Sequence, residues 1–171
     1  FVDVVRTNVQ RMYTFKAQGT DFNELMVNYL SQHNKNNEKN TLNRGEYELG
    51  SFMRKWMNEF GIADDVVFEL TKDGLGVHIY IVKGNIKTLL ADEGFGITQL
   101  LSIMLQIEIN ALKSPYRYDH PMLGGSILKY RASTITIEEP EVNLHPKFQS
   151  KLAEMFMDAY KTYNIRFIVE T

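Results

Sequence analysis

The 171-residue sequence contains no cysteine. Its absence excludes disulfide bridges and thiolate metal ligands, so neither a disulfide scaffold nor a zinc-thiolate module fits. Apolar runs are too short to span a membrane, so no membrane partner is expected. An excess of charge is also missing, because 19 Lys and Arg residues face 21 Asp and Glu residues, for a net charge of −2. Binding to nucleic acid would therefore need a local basic patch.

What is present is the composition of an ordinary globular protein, with 44% hydrophobic and 23% charged residues. This length and composition predict one domain or one large lobe, with enough apolar material for a core. The sequence opens at Phe1 without a signal-peptide pattern and stops at "FIVET", which leads us to expect a cytoplasmic fragment of a longer domain.

Residues 1–62 are predicted to form a mainly helical lobe. The stretch "TDFNELMVNYLSQ" has a capping residue and an apolar face typical of a helix, and the polar residues 33–41 that follow predict a loop. A second helix is predicted over residues 46–60, with an apolar stripe that includes Met53, Trp56 and Met57. This stripe is expected to pack in a core rather than around a cofactor.

In residues 63–91, apolar and polar residues alternate with a period of two. This alternation predicts an antiparallel β region. Three strands are predicted, in the segments "DVVFEL", "GVHIYIV" and "IKTLLA". The residues "KGN" are predicted to form the turn between the last two. His78 lies on the second of these strands and is expected to have a hydrogen-bond partner there.

Residues 92–171 predict a buried helix from about Thr98 to Leu112, followed by a loop over residues 113–125. The strand "STITIEE", a helix over residues 147–160 and the strand "IRFIVE" then form a βαβ unit with parallel strands. Ligands bind at the carboxyl ends of such strands, where the first strand carries its acidic residues.

Those acids, Glu138 and Glu139, are adjacent, so they point to opposite faces while the strand stays regular. A hydrophobic strand ending in two acids is the pattern of a Walker B segment. In that pattern the first acid serves the Mg²⁺ shell, and the second orients or deprotonates the attacking water. A solvated strand end is the alternative interpretation of the same residues.

A second pattern, "GFGITQ", places two glycines just before a predicted helix. Free backbone N–H groups and the helix dipole make such a helix start able to bind phosphate. A tight turn with no ligand would have the same sequence pattern, so the order of the segments is the stronger signal.

Together, "EGFGITQLL", "ITIEEPEVNLHPKFQSKLAEMF" and "FIVET" resemble the C-terminal part of an ABC-type AAA ATPase domain of the OLD-like group. The ATPase head of this group is related to that of structural-maintenance-of-chromosomes proteins. The resemblance runs from about Asp92 to Thr171 and is looser upstream. It implies an α/β fold of the P-loop NTPase type, with flanking helices and an antiparallel β region.

The resemblance also implies roles for individual residues. Glu138 matches the Walker B acid that holds Mg²⁺ through its water shell, and Glu139 matches the catalytic glutamate. The remaining matches lie in two segments that face a second subunit. The signature segment, which contacts the nucleotide bound to the other subunit, contains Gly94, Gly96, Thr98 and Gln99. The D-loop contains Asn143 and His145. The final strand corresponds to the one that precedes the switch histidine of the family.

No phosphate loop of the form G-x-x-x-x-G-K-[ST] occurs in the 171 residues. The resemblance therefore implies that the longer protein binds ATP and Mg²⁺ at a head-to-head homodimer interface, and that this fragment alone is inactive. Hydrolysis would drive an effector or a nucleic-acid transaction, in DNA processing or in defence against phage.

Two other classes of function remain open. The chain could be a non-hydrolysing interaction module with a vestigial nucleotide site, or a metal-dependent nuclease that uses Glu138, Glu139 and Glu141. His145 could serve as a metal ligand, although a D-loop role is favoured. A nucleic-acid surface could also form from three residues near the start of the chain, namely Arg6, Arg11 and Tyr13.

Overall fold

The computed structural model describes residues 11–14, 24–30, 46–47, 50–72, 75–120 and 125–171. These residues form a mixed α/β structure with three separate small sheets. The expected parallel sheet is represented in them by one pair of parallel strands. The bounds of the elements are as follows: β1 Tyr13–Thr14, α1 24–30, β2 Glu46–Tyr47, α2 Ser51–Phe60, β3 Asp65–Leu70, β4 Gly76–Lys83, β5 Ile86–Leu89, α3 Phe95–Lys113, β6 Pro115–His120, β7 Gly125–Tyr130, β8 Ser133–Glu138, α4 Pro146–Tyr163 and β9 Ile165–Glu170.

The antiparallel region is confirmed, and it is larger than predicted. Strand β4 is central, with β3 on one side and both β1 and β5 on the other, while β2 extends the sheet beyond β3. The β4–β5 turn contains Gly84 at a φ of 58°, which suits glycine. The third strand stops at Leu89, and a short 3₁₀ turn over Leu90–Asp92 leads towards α3. His78 has its expected partner, because its Nδ1 atom lies 2.9 Å from the carbonyl of Arg11.

The second helix begins later than predicted. A helix over residues 46–60 was expected, but Glu46 and Tyr47 pair with β3 and α2 starts at Ser51. The cause is a tertiary contact, since the carboxylate of Glu108 in α3 accepts a hydrogen bond from the Met53 N–H at 2.9 Å. Carboxylates stabilise the free N–H groups at the start of a helix.

The first helix matches its prediction as far as the structure describes it. Residues 24–30 are helical, with Met26 and Tyr29 fully buried. The predicted cap at Asp21 and the predicted loop over residues 33–41 lie outside the described residues. The stripe on α2 is a core element as expected, because Met53, Trp56 and Met57 are all buried.

Helix α3 is the centre of the core. It begins at Phe95, three residues before the predicted start, because Gly94 adopts a φ of 92° at the N-cap. Its length and composition would suit a membrane span, but two-thirds of the apolar window lies inside the protein. The packing of α2, β8 and β9 against this helix accounts for its all-round hydrophobicity.

A hairpin stands where the sequence predicted a loop. Residues 113–125 contain two prolines and a glycine pair, yet β6 and β7 pair antiparallel from Pro115↔Tyr130 to His120↔Gly125. Pro115 takes the first position of β6, where a missing N–H costs least. The alternating Tyr and charged residues after it have good strand propensity and override the loop signal.

The C-terminal βαβ unit is confirmed. Strands β8 and β9 pair parallel in register from Ser133↔Ile165 to Glu138↔Glu170. Helix α4 runs from Pro146 to Tyr163, slightly longer than predicted at both ends. Proline suits the first helical turn, and Asn164 ends the helix in a left-handed conformation.

Candidate active site

The carboxyl end of the β8–β9 pair carries the two predicted glutamates. Glu138 is the last residue of β8 and lies opposite Glu170 of β9. Its side chain is exposed, and it forms no hydrogen bond or ion pair with any residue that the structure describes. A carboxylate in this state is available to a ligand at the end of the sheet.

At Glu139 the main chain turns out of the strand. Its φ of 44° is a left-handed conformation, uncommon for a residue other than glycine. Its N–H donates to the carbonyl of Glu170 at 2.6 Å, so the main chain stays attached to β9 while the strand ends. The alternation expected for a regular strand therefore stops here, and Pro140 is buried in the turn that follows.

A compact turn over residues 139–145 carries the predicted D-loop. The N–H of Val142 donates to the carbonyl of Glu139 at 3.0 Å, and the N–H of Leu144 donates to that of Glu141 at 3.1 Å. Asn143 has a φ of 61°, in the left-handed region that asparagine tolerates. The buried side chain of Leu144 anchors the turn in the core.

His145 is the N-cap of α4. Its Nδ1 atom accepts a hydrogen bond from the N–H of Lys147 at 3.2 Å. No group of three or more residues able to hold a metal ion occurs in the described part of the chain, so His145 belongs to no such group there. The metal-ligand interpretation of His145 is not supported.

The N-terminus of α3 carries the predicted signature residues. Gly94 is the exposed N-cap, and Gly96 lies in the first turn. Thr98 is fully buried, and its hydroxyl donates to the carbonyl of Gly94 at 3.4 Å. The structure therefore places the Thr98 side chain inside the protein, while Gly94 is at the surface.

These segments meet within one molecule. The side-chain amide of Gln99 donates to the carbonyls of Glu139 at 3.2 Å and Pro140 at 3.3 Å. A Cβ atom on Gly96 would lie 2.7 Å from the carbonyl oxygen of Asn143, so the backbones touch at this point. The start of α3, the Glu139 turn and the predicted D-loop thus form one continuous structure.

Gln149 is a residue whose role sequence reasoning missed. Its side-chain amide donates to the carbonyls of Glu141 and Leu144, both at 3.1 Å, and so holds the turn against α4. The glutamine stands four residues after His145 in the string that carries the resemblance. The spacing was visible in the sequence, but the conformation of the turn that it binds was not.

The nuclease alternative requires three convergent carboxylates. Glu141 points inward instead, with its Oε2 atom buried and without a hydrogen-bond partner among the described residues. Glu138 and Glu139 do not gather with it, because the described residues hold no group of three metal-binding side chains. One exposed carboxylate fits Mg²⁺, which keeps several waters and takes further oxygens from phosphates.

The nucleic-acid surface considered near the start of the chain is not supported by the residues that the structure describes. Tyr13 is 2% exposed, so its ring is unavailable for stacking. Arg11 is paired with Asp92 at 2.8 Å. Arg6 lies outside the described residues.

A family model described as the AAA ATPase domain matches residues 4–171. The chain belongs to the AAA ATPase domain family. No curated protein and no solved structure matches it. Membership indicates an ATPase-type function with a nucleotide as ligand, and the AAA ATPase domain usually works with Mg²⁺.

Proposed function

We propose that the protein hydrolyses ATP with Mg²⁺, and that Glu139 is the catalytic glutamate. One observation supports this most directly: the carboxyl end of the parallel β8–β9 pair carries Glu138 and Glu139, and Gln99 ties this end to a glycine-led helix start. This arrangement supports a Walker B segment beside a signature segment.

The two glutamates take different roles in this proposal. Glu138, exposed and unengaged by described residues, would hold Mg²⁺ through its water shell. When bound, Mg²⁺ neutralises charge on the phosphate oxygens. Glu139 orients a water and accepts its proton as the water oxygen bonds to the γ-phosphorus. The bond from that phosphorus to the bridging oxygen breaks, and ADP leaves.

A homodimer completes the site in this proposal. Gly94, Gly96, Thr98 and Gln99 belong to the segment that faces the nucleotide of the other subunit. The exposed Gly94 and the N–H groups at the start of α3 provide the anion-binding end of a helix. The buried Thr98 would act through the helix rather than by direct contact, and so would Gln99, whose amide is bound to the carbonyls of Glu139 and Pro140. Asn143 and His145 lie in the turn that would line the interface.

The wider biology also belongs to the proposal. The segments "EGFGITQLL", "ITIEEPEVNLHPKFQSKLAEMF" and "FIVET" support placing the protein in the OLD-like, ABC-type group. Residues 1–171 would form one part of the ATPase head. We infer a cytoplasmic protein in which ATP closes the head dimer and hydrolysis opens it. That cycle would drive an effector in DNA processing or phage defence.

The test is steady-state ATP hydrolysis by the full-length protein beside its Glu139→Gln variant. Removal of the catalytic base is expected to lower kcat by roughly 100-fold or more while ATP binding persists. Glu154→Gln, a matched change at an exposed position on α4, should leave kcat unchanged. Equal turnover by wild type and Glu139→Gln would overturn the assignment of Glu139.

The same experiment addresses the interaction-module alternative. If the wild-type protein does not turn over ATP, hydrolysis is excluded and a non-hydrolysing dimerisation module takes its place. Light scattering with and without ATP then tests the homodimer: an ATP-dependent dimer that Glu139→Gln stabilises supports the proposed cycle.

A further inference from the structure

The β6–β7 hairpin is the feature that the ATPase assignment leaves unused. It stands between α3 and β8, and neither of its strands pairs with another sheet among the described residues. Each strand has six residues, so the ribbon is about 20 Å long at 3.4 Å per residue. An exposed ribbon of this size offers a surface for a partner.

The two faces of the hairpin differ in their surroundings. Pro115, Leu128 and Tyr130 share one face, and they line a cavity of about 420 Å³ together with Glu108 and Tyr163. This face borders the helices, although Leu128 on it is still 56% exposed. The opposite face carries the pairs Tyr116↔Lys129 and Tyr118↔Ile127, and it is therefore turned to solvent.

The solvent-facing side combines aromatic rings with a cation. Tyr116 is 38% exposed, Tyr118 is 40% exposed and Ile127 is 42% exposed, unusual values for three large side chains on one small ribbon. The Nζ atom of Lys129 lies 4.5 Å from the centroid of the Tyr118 ring. A positive charge thus stands beside two accessible rings.

The charge of this segment opposes that of the rest of the chain. Residues 113–131 contain four basic residues and one acidic residue, a net charge of +3, so the remaining residues carry −5 of the total of −2. None of the four cations forms an ion pair with a residue that the structure describes. They are Lys113, Arg117, Lys129 and Arg131. Lys129 lies on the outer face of the hairpin, and Arg117 shares the inner face with Leu128.

We propose that the outer face of the β6–β7 hairpin binds single-stranded nucleic acid. Tyrosine rings stack on unpaired bases without regard to sequence, and the Lys129 cation on the same face attracts the phosphate backbone. A duplex would hide the base faces that Tyr116 and Tyr118 are placed to contact. An acidic protein would use the cations but has less need of flat rings. The proposal goes beyond ATP hydrolysis and does not depend on it.

The test is fluorescence anisotropy of a labelled oligothymidine titrated with the full-length protein in the absence of ATP. Tyr116→Ala and Tyr118→Ala are each expected to weaken binding by roughly five- to 150-fold, the effect of losing one stacked base. Lys129→Ala should reduce the slope of log K against log salt by about 0.7. Tyr118→Phe keeps the ring and should bind as wild type.

Matched controls come from α4, where Tyr160 is 47% exposed and Lys161 is also exposed. Tyr160→Ala and Lys161→Ala should bind as wild type. So should Glu139→Gln, which separates this site from the ATPase. Unchanged affinity in the hairpin variants would overturn the proposal, as would tighter binding of duplex than of single strand. The absence of any oligonucleotide binding would also overturn the proposal. Binding of an acidic protein in place of the oligonucleotide would overturn it as well and would identify the other class of partner.

Discussion

The side-chain amide of Gln99 donates hydrogen bonds to the main-chain carbonyls of Glu139 and Pro140, across forty residues of sequence. The glutamine lies in the first turns of α3, and the carbonyls lie in the turn that follows β8. A shift of α3 along its axis would therefore move the backbone that carries the proposed catalytic carboxylate. The contact gives a physical route from the proposed signature segment to the proposed hydrolysis site.

The first prediction concerns this contact. Gln99→Ala removes both hydrogen bonds and should let the Glu139 turn relax. Because a misplacement of about 1 Å in an active site can cost roughly 100-fold in rate, we expect kcat to fall by about ten- to 100-fold. The affinity for ATP should change little, since ATP binding does not require the catalytic carboxylate. Single-turnover ATP hydrolysis and equilibrium ATP binding measure the two effects separately.

Asn110→Ala is the matched control for Gln99→Ala. Asn110 is an amide on the same helix, and its side chain donates to the carbonyl of Gln106, within α3 itself. It should leave kcat unchanged. If Gln99→Ala weakens ATP binding and leaves kcat intact, then Gln99 contacts the nucleotide directly rather than positioning Glu139.

The second prediction concerns Gly96, where α3 meets the D-loop. Alanine normally favours a helix over glycine by about 1 kcal/mol, but here its Cβ atom would lie 2.7 Å from the carbonyl oxygen of Asn143. We expect Gly96→Ala to push the D-loop away and to lower ATPase activity by up to about 100-fold. Gly84→Ala is the control, because it strains only the β4–β5 turn, at a φ of 58°, and should lower stability without lowering ATPase activity. Equal activity of both variants would contradict the close approach.

The sequence predicted an element correctly where the local pattern of residues agrees with the surface that the element buries. The alternation in β3 and β4 and the apolar stripe of α2 each matched the surface that they bury. The acidic strand end was also found correctly, because Glu138 ends β8. These elements could be predicted since propensity, periodicity and burial favour the same structure.

The elements that were predicted wrongly depend on contacts between residues far apart in sequence. The start of α2 was placed too early because the carboxylate of Glu108, far away in sequence, caps that helix. The hairpin of β6 and β7 was read as a loop because proline and glycine outweighed its tyrosines. The left-handed turn at Glu139 and its contact with Gln99 join distant segments, and no spacing in the sequence reveals them.

The third prediction concerns the pH dependence of stability. Burial raises the pKa of Glu108 above the ordinary value of 4.5, although hydrogen bonds from the Met53 and Phe52 N–H groups oppose the shift. The folded state therefore holds this proton more tightly than the unfolded state does. Stability from this group is fully present below pH 4.5 and is lost as the pH rises through the raised pKa, with a slope of at most about 1.4 kcal/mol per pH unit.

Glu108→Gln tests this linkage, because the amide oxygen still accepts a hydrogen bond but cannot ionise. Urea unfolding across the pH range should show the variant gaining on wild type as the pH rises from 4.5. Glu154→Gln, on the surface of α4, should show no such gain. A constant difference between Glu108→Gln and wild type at all pH values would contradict a raised pKa. Tyr29 and Tyr163 stay neutral in this range, because burial raises the pKa of both.

The fourth prediction concerns the contact between α2 and α4. The Oδ2 atom of Asp158 accepts hydrogen bonds from Trp56 Nε1 and Lys55 Nζ, both at 2.8 Å. Burial alone would raise the pKa of Asp158, but these two donors outweigh it and hold the pKa below the ordinary value. Its stabilising contribution is therefore present at neutral pH and is lost as the pH falls through the lowered pKa.

Asp158→Ala should cost about 1–3 kcal/mol of unfolding free energy, because the Trp56 indole N–H, on a ring that is 4% exposed, loses its acceptor. Lys55→Ala removes only a half-exposed ion pair and should cost less than about 1 kcal/mol. Urea unfolding at neutral pH measures both, and the gap between the variants should narrow in acid, because a protonated Asp158 is a weaker acceptor for the indole. Similar losses from the two substitutions would show that the ion pair, rather than the indole hydrogen bond, joins α2 to α4.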